Sequence, residues 1–168
     1  MILNPSVQRK AQEEIDWVIG PDRLPAIQDK APLPYVRGLI TEVFRWQPAA
    51  PLAMAHALSQ DDVYDGMHLP KGSVVIPNVW HMLHDPEVYP NPMEFDPERY
   101  QGFDSKMDKV TDITFGFGRR ACPGKYSGEG TFLAVVSNML ATCEISPIQD
   151  TEGNAVLPDI SYTSETIS

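Results

Sequence analysis

Residues 115–124 read Phe115-Gly116-Phe117-Gly118-Arg119-Arg120-Ala121-Cys122-Pro123-Gly124, a glycine-rich loop that presents one cysteine between two arginines and a Pro-Gly turn. Gly116 and Gly118 allow backbone conformations closed to residues that carry a Cβ, and they let the chain approach a flat ligand closely. Arg119, Arg120 and Lys125 bring positive charge toward the sulfur. Positive charge favours the thiolate, which is the form that binds metal. Pro123 has no N–H to donate, and Gly124 can end the loop where a helix begins. The chemistry these features point to is a cysteine thiolate held as an axial ligand to haem iron.

Two further segments bear on that reading. Glu42-Val43-Phe44-Arg45 places a carboxylate and a guanidinium three residues apart, on one helical face. On a surface such a pair contributes little. Here it is embedded among Val36, Leu39, Ile40, Val43, Phe44 and Trp46, where burial would make it costly to break. The second segment, Phe95-Asp96-Pro97-Glu98-Arg99-Tyr100, closes a stretch with five prolines between Pro77 and Pro97. That density suits an ordered, irregular meander better than helix or sheet. Trp80, Tyr89, Phe95 and Tyr100 give it aromatic anchors.

The cysteine loop resembles the haem-binding signature of the cytochrome P-450 family, Phe-x-x-Gly-x-Arg-x-Cys-x-Gly, with its fixed positions filled by Phe115, Gly118, Arg120, Cys122 and Gly124. Glu42 and Arg45 resemble the family's Glu-x-x-Arg helix. Pro97-Glu98-Arg99-Tyr100 is similar to its Pro-Glu-Arg-Phe element. Leu33-Pro34-Tyr35, 85–92 and 134–145 look most like fungal members.

The resemblance implies a mainly α fold with a small β-sheet, of the α+β kind, as the C-terminal and incomplete part of one haem domain over residues 1–168. Cys122 would be the axial ligand to the iron of haem b, and hence the catalytic residue. Phe115, Gly116, Gly118, Arg120 and Gly124 would line the cofactor, with Arg120 on a haem propionate. Arg99 would join Glu42 and Arg45 in a three-residue structural cluster. His56, eleven residues after Arg45, would contact a propionate; the other reading is a partly buried strand histidine. The implied activity is insertion of one oxygen atom from O2 into a lipophilic substrate, with electrons from NADPH through a reductase. The apolar 51–55 loop would face that substrate.

The chain has 168 residues, enough for one domain with a core. Its 16 prolines are about twice the average usage. The net charge of −10 argues against nucleic acid. Residues 126–168 hold six acids and no Lys or Arg, whereas 106–125 hold five basic residues and two acids. The basic stretch, with Lys106, Lys109, Arg119 and Lys125, fits either an acidic partner or a solvated face. In the resemblance that partner is the reductase, which docks on the cysteine side. No oligomer is implied.

Cys122 and Cys143 lack zinc-type spacing. A disulfide between them would consume the proposed ligand, and Cys143 reads as a core or strand thiol. His81 and His84 stand i, i+3 with no third ligand and read as structural.

Along the chain, Asn4-Pro5 starts a helix with Val7, Ala11, Ile15 and Val18 on one face, ended by Gly20-Pro21. A second helix spans 35–46 and stops at Pro48. Residues 52–58 and 72–76 read as strands, with a turn at Asp65-Gly66. A short helix covers 79–83. A strongly apolar helix covers 131–141, its first turns weakened by Gly128 and Gly130, each by about 1 kcal/mol. The family usually has better helix formers there. Beyond Pro147 only a Glu152-Gly153-Asn154 turn is expected.

No apolar run reaches 18 residues and no signal peptide stands at Met1, although full-length members of the resembled family are anchored in the endoplasmic reticulum. The resemblance leaves out the family's long helix over the haem, its proton-delivering acid/alcohol pair and its upstream propionate-holding residues. A truncated gene product, a gene-model fragment or one piece of a longer chain is the expectation. A truncated, non-enzymatic remnant with weak or no haem binding is the alternative to a monooxygenase, and the isolated fragment is expected to be inactive. A third reading, an acidic interaction module with a reactive cysteine, gives Glu42, Arg45 and Arg99 no purpose.

Overall fold

The structure is a computed structural model that describes residues 1–158. The part of the domain expectation that covers 159–168 lies outside the described residues. Helices α1 (Pro5–Val18), α2 (Pro34–Trp46), α3 (Val79–His84), α4 (Asp104–Phe115) and α5 (Lys125–Thr142) carry the architecture. Short 3₁₀ turns at Ile27–Lys30, Pro97–Tyr100 and Gly118–Arg120 join them. No helix among the described residues is long and apolar enough to cross a membrane.

Helix α2 is the centre. It packs against α1, α3, α4, α5 and the Pro97–Tyr100 turn. Val36, Leu39, Ile40 and Phe44 bury its apolar stripe. Val7, Ala11 and Ile15 of α1 and Leu133 and Leu140 of α5 complete the same core. Val18, expected on the buried face of α1, stands at its exposed end.

The start of α2 shows how sequence-distant groups settle a helix terminus. Pro34 opens the helix and has no N–H, which leaves Tyr35 and Val36 with unpaired donors. Glu14 of α1 accepts both, Tyr35 N–H at Oε1 (2.9 Å) and Val36 N–H at Oε2 (2.9 Å). A carboxylate there also meets the positive end of the helix dipole. By contrast the Asn4 side chain makes no capping bond to α1.

Helix α4 was not foreseen from the sequence. Its Met107, Val110, Thr111 and Ile113 are buried, but they alternate with charged residues and weaken the periodic signal. The β-structure is also smaller and more divided than one sheet. Strands β1 (His56–Ala57) and β4 (Val74–Val75) form one antiparallel pair, and β2 (Asp62–Tyr64) and β3 (Met67–Leu69) another. Strands β5 (Ile148–Gln149) and β6 (Ala155–Val156) form a third, so the 150–154 turn belongs to a hairpin. Asp65 and Gly66 both have positive φ, the requirement of a tight hairpin turn. Cys143 is exposed at the end of α5 rather than in the core, and neither cysteine is in a disulfide.

Candidate functional site

The Glu42 carboxylate lies fully buried on α2 and collects five hydrogen bonds. Arg45 grips it with two, Nε to Oε2 at 2.8 Å and Nη2 to Oε1 at 2.9 Å. Arg99 Nε donates to Oε1 at 3.2 Å, the Asp96 N–H to Oε1 at 3.0 Å and the Tyr100 hydroxyl to Oε2 at 2.8 Å. Glu42 and Arg45 are 0% exposed, so this geometry, rather than solvent, must satisfy both charges.

The remaining guanidinium donors end on backbone carbonyls. Arg45 reaches Leu83 O (3.0 Å) and Glu94 O (3.2 Å), and Arg99 reaches Pro90 O (3.0 Å) and Glu94 O (3.1 Å). Through these bonds the cluster pins the proline-rich meander to α2. Burial, then the neighbouring Glu42 charge, pushes the Tyr100 phenol far above its ordinary value.

Gly38 allows this approach. A Cβ at that position would lie 2.9 Å from Pro97 O, too close for any side chain. Without the contact the Pro97–Tyr100 turn could not reach Glu42, one helical turn further along α2. His84 is buried beside the cluster, stacked on Trp80 at 3.8 Å with its Nδ1 2.9 Å from Trp80 O. Desolvation, with the nearby Arg45, lowers its basicity.

The cysteine loop lies between α4 and α5. Phe115 ends α4, and its carbonyl accepts the Cys122 N–H at 2.7 Å. Gly116 has φ +87° and ψ 177°, a conformation that essentially only glycine adopts. Gly118 has φ +58°. Gly124 precedes α5, and a Cβ there would touch Cys122 Sγ at 3.6 Å. Cys122, Arg119 and Arg120 are exposed.

Cys122, Arg120, Phe115, Gly116 and Phe117 line an open cavity of about 510 Å³. Across it stand Ala50, Ala53, Met54 and His56 from the 50–56 segment, with Pro77. Ala53 has φ +48°, a left-handed value rare for alanine. The segment is tied to α3 by a bond from the Trp80 N–H to Pro51 O (2.9 Å). His56 is thus an exposed edge-strand residue that faces the cavity, not a partly buried one.

The donor set fits haem. The cavity offers one thiol, mostly apolar walls for a flat macrocycle and two basic side chains, Arg120 and His56, for its carboxylates. Among the described residues no cluster of three His, Cys, Asp or Glu could hold a bare ion. A metal bound at Cys122 would need further ligands of the kind a macrocycle supplies.

Of the other basic residues, Lys125 Nζ is tied to Asp112 Oδ1 at 2.6 Å and Lys106 lies 4.5 Å from the Phe103 ring centre. Lys125 is thus neutralised, whereas Arg119 and Arg120 have no ion-pair partner among the described residues. Gly38 and the carbonyls of Leu83, Pro90 and Glu94 escaped sequence reading. For Gly38 the available signal was a glycine in the middle of an otherwise strong helix.

The family model described as Cytochrome P-450 matches residues 1–166. Cytochrome P-450 monooxygenases 105 and 45 of Postia placenta are 60% and 61% identical to the chain over 167 residues, 99% of its length. Monooxygenase claR of Ampulloclitocybe clavipes is 43% identical over 170 residues. The chain spans 32% of the length of each of these curated relatives. Among solved structures, a zebra fish cytochrome P-450 determined with abiraterone superposes with a TM-score of 0.75 at 31% identity, over 83% of this chain and 32% of that one.

Proposed function

The chain belongs to the cytochrome P-450 family, and from that premise we propose that it forms the cysteine side of a haem-thiolate monooxygenase site. The observation that carries this reading is the convergence of Cys122, Arg120 and His56 on one apolar cavity. When bound there, haem b would supply the oxidising chemistry that inserts one oxygen atom from O2 into a lipophilic substrate.

The chain's own residues have separate tasks. Cys122 would supply the thiolate that holds the iron. The Phe115 carbonyl orients it through the Cys122 N–H. Arg120 and His56 would pair with the propionates, by charge-assisted hydrogen bonds. Gly116 and Gly118 hold turns that a side chain would disfavour. Ala50, Ala53 and Met54 keep the opposite wall apolar. Glu42, Arg45 and Arg99 hold the scaffold and do not touch the cavity. An NADPH-dependent reductase would approach the exposed Arg119 side of the loop, where the arginines have no ion-pair partner among the described residues.

A second reading, weak or no haem binding by this chain alone, draws on the exposure of Cys122, Arg120 and His56. Reconstitution tests both. The chain is mixed with haemin and reduced, and its carbon-monoxide difference spectrum is recorded beside that of Cys122→Ala. A strongly red-shifted Soret band, absent from the variant, is the result expected from the first reading. No band, or one indifferent to the substitution, would reject it for this polypeptide.

A further inference from the structure

Two glycines, Gly128 and Gly130, lie within α5, and by helix propensity they are equivalent. Their surroundings are not. A Cβ at Gly130 would stand 3.8 Å from Ile27 Cδ1, an ordinary contact. A Cβ at Gly128 would stand 3.3 Å from Phe115 Cε1 and 3.4 Å from Cζ. At that distance the Phe115 ring would have to shift by a few tenths of an ångström. It meets Phe44 edge to face, with ring centres 5.6 Å apart, and Phe44 in turn meets Phe132 at 4.9 Å. Phe44 is itself buried in the core.

Phe115 also has a second connection. Its carbonyl holds the Cys122 N–H at 2.7 Å, while the Ala121 and Lys125 amides at the loop's other closures make bonds of 3.3 Å. The Phe115 backbone is thus the firmest local restraint on Cys122, and its ring is seated against the bare backbone of α5. We propose that Gly128 is a positioning residue for Cys122: the missing side chain makes a notch that seats Phe115, and Phe115 sets the thiol's backbone. The importance of this for haem rests on the function proposed above, but the seating itself does not.

The test uses the full chain without haem. Alkylation of Cys122 by iodoacetamide is followed across pH, with Cys143 resolved separately by peptide mass spectrometry as an internal control. Gly130→Ala should leave the Cys122 profile superimposable on wild type. Gly128→Ala should change the Cys122 rate by roughly two-fold or more, the low end for coupled neighbours, with Cys143 unchanged. In a Phe115→Leu background, which removes the ring atoms at the notch, Gly128→Ala should have no further effect. If Gly128→Ala fails to fold, recovery of folding by Phe115→Leu supports the proposal. Failure of the double variant, with Phe115→Leu alone folded, overturns it, as does an unchanged Cys122 profile or an effect that persists in the Phe115→Leu background. Because the readout is the free thiol, failure of haem reconstitution in wild type would reject the functional reading and leave this result standing.

Discussion

The Glu42 cluster and the Cys122 loop are both built from charged or reactive groups, yet the structure treats them oppositely. Glu42 and Arg45 are sealed from solvent, and each is held by several partners on the protein itself. Cys122 is exposed, without a disulfide partner, and opens on a cavity with Arg120 and His56. A buried, fully partnered group stabilises the fold and can do little else. An exposed group with converging neighbours contributes little to the fold and is available to a ligand. On the function proposed above, the first region is the scaffold and the second the candidate site of chemistry.

The most severe way to break that contrast is to strand a charge in the cluster. Arg45→Ala or Glu42→Ala should cost about 3–5 kcal/mol in denaturant unfolding, and equal midpoints for wild type and variant would remove the scaffold role. Tyr100→Phe is gentler, deleting the 2.8 Å bond to Glu42 Oε2. Hydrogen bonds to a charged group contribute about 1.5–3 kcal/mol, and a loss in that range by the same measurement is expected.

His84 sharpens the comparison through pH. Its buried imidazole resists protonation chiefly because of desolvation. Below about 6.5 the unfolded chain takes up a proton there that the folded chain refuses. Unfolding then consumes protons, so stability falls as pH drops through that value, by no more than about 1.4 kcal/mol per pH unit from this group. A His84→Gln variant should show a flatter dependence between pH 7 and 5; an identical slope would mean that other groups carry it.

Much of this contrast was legible in the sequence because it rests on residue types that do little else. A cysteine between glycines and arginines, and a Glu and Arg three apart in an apolar helix, leave few structural readings. What the sequence hid was mostly backbone. The carbonyls of Leu83, Pro90 and Glu94 that receive Arg45 and Arg99 have no residue signature. Gly128 read as a weak point of its helix and Gly38 went unread, and only the approach of the Phe115 ring and of Pro97 O shows what they make room for. Helix α4 was missed because charged residues interrupt its buried stripe. The strands were drawn too long at 52–58 and 72–76; branched side chains signalled strand in the second, and only two-residue pairings form.

The smallest expected effect on stability belongs to Cys122. As an exposed thiol with no disulfide, its replacement by alanine should shift unfolding by no more than about 0.5 kcal/mol. The decisive measurement pairs Cys122→Ala with Tyr100→Phe, recording for each the unfolding midpoint and, after haemin addition and reduction under carbon monoxide at low temperature, the difference spectrum. The scaffold-and-site account predicts a red-shifted Soret band that survives in Tyr100→Phe despite its lower midpoint and vanishes in Cys122→Ala at an unchanged one. A band that persists without Cys122, or two variants that lose stability and spectrum together, would contradict it.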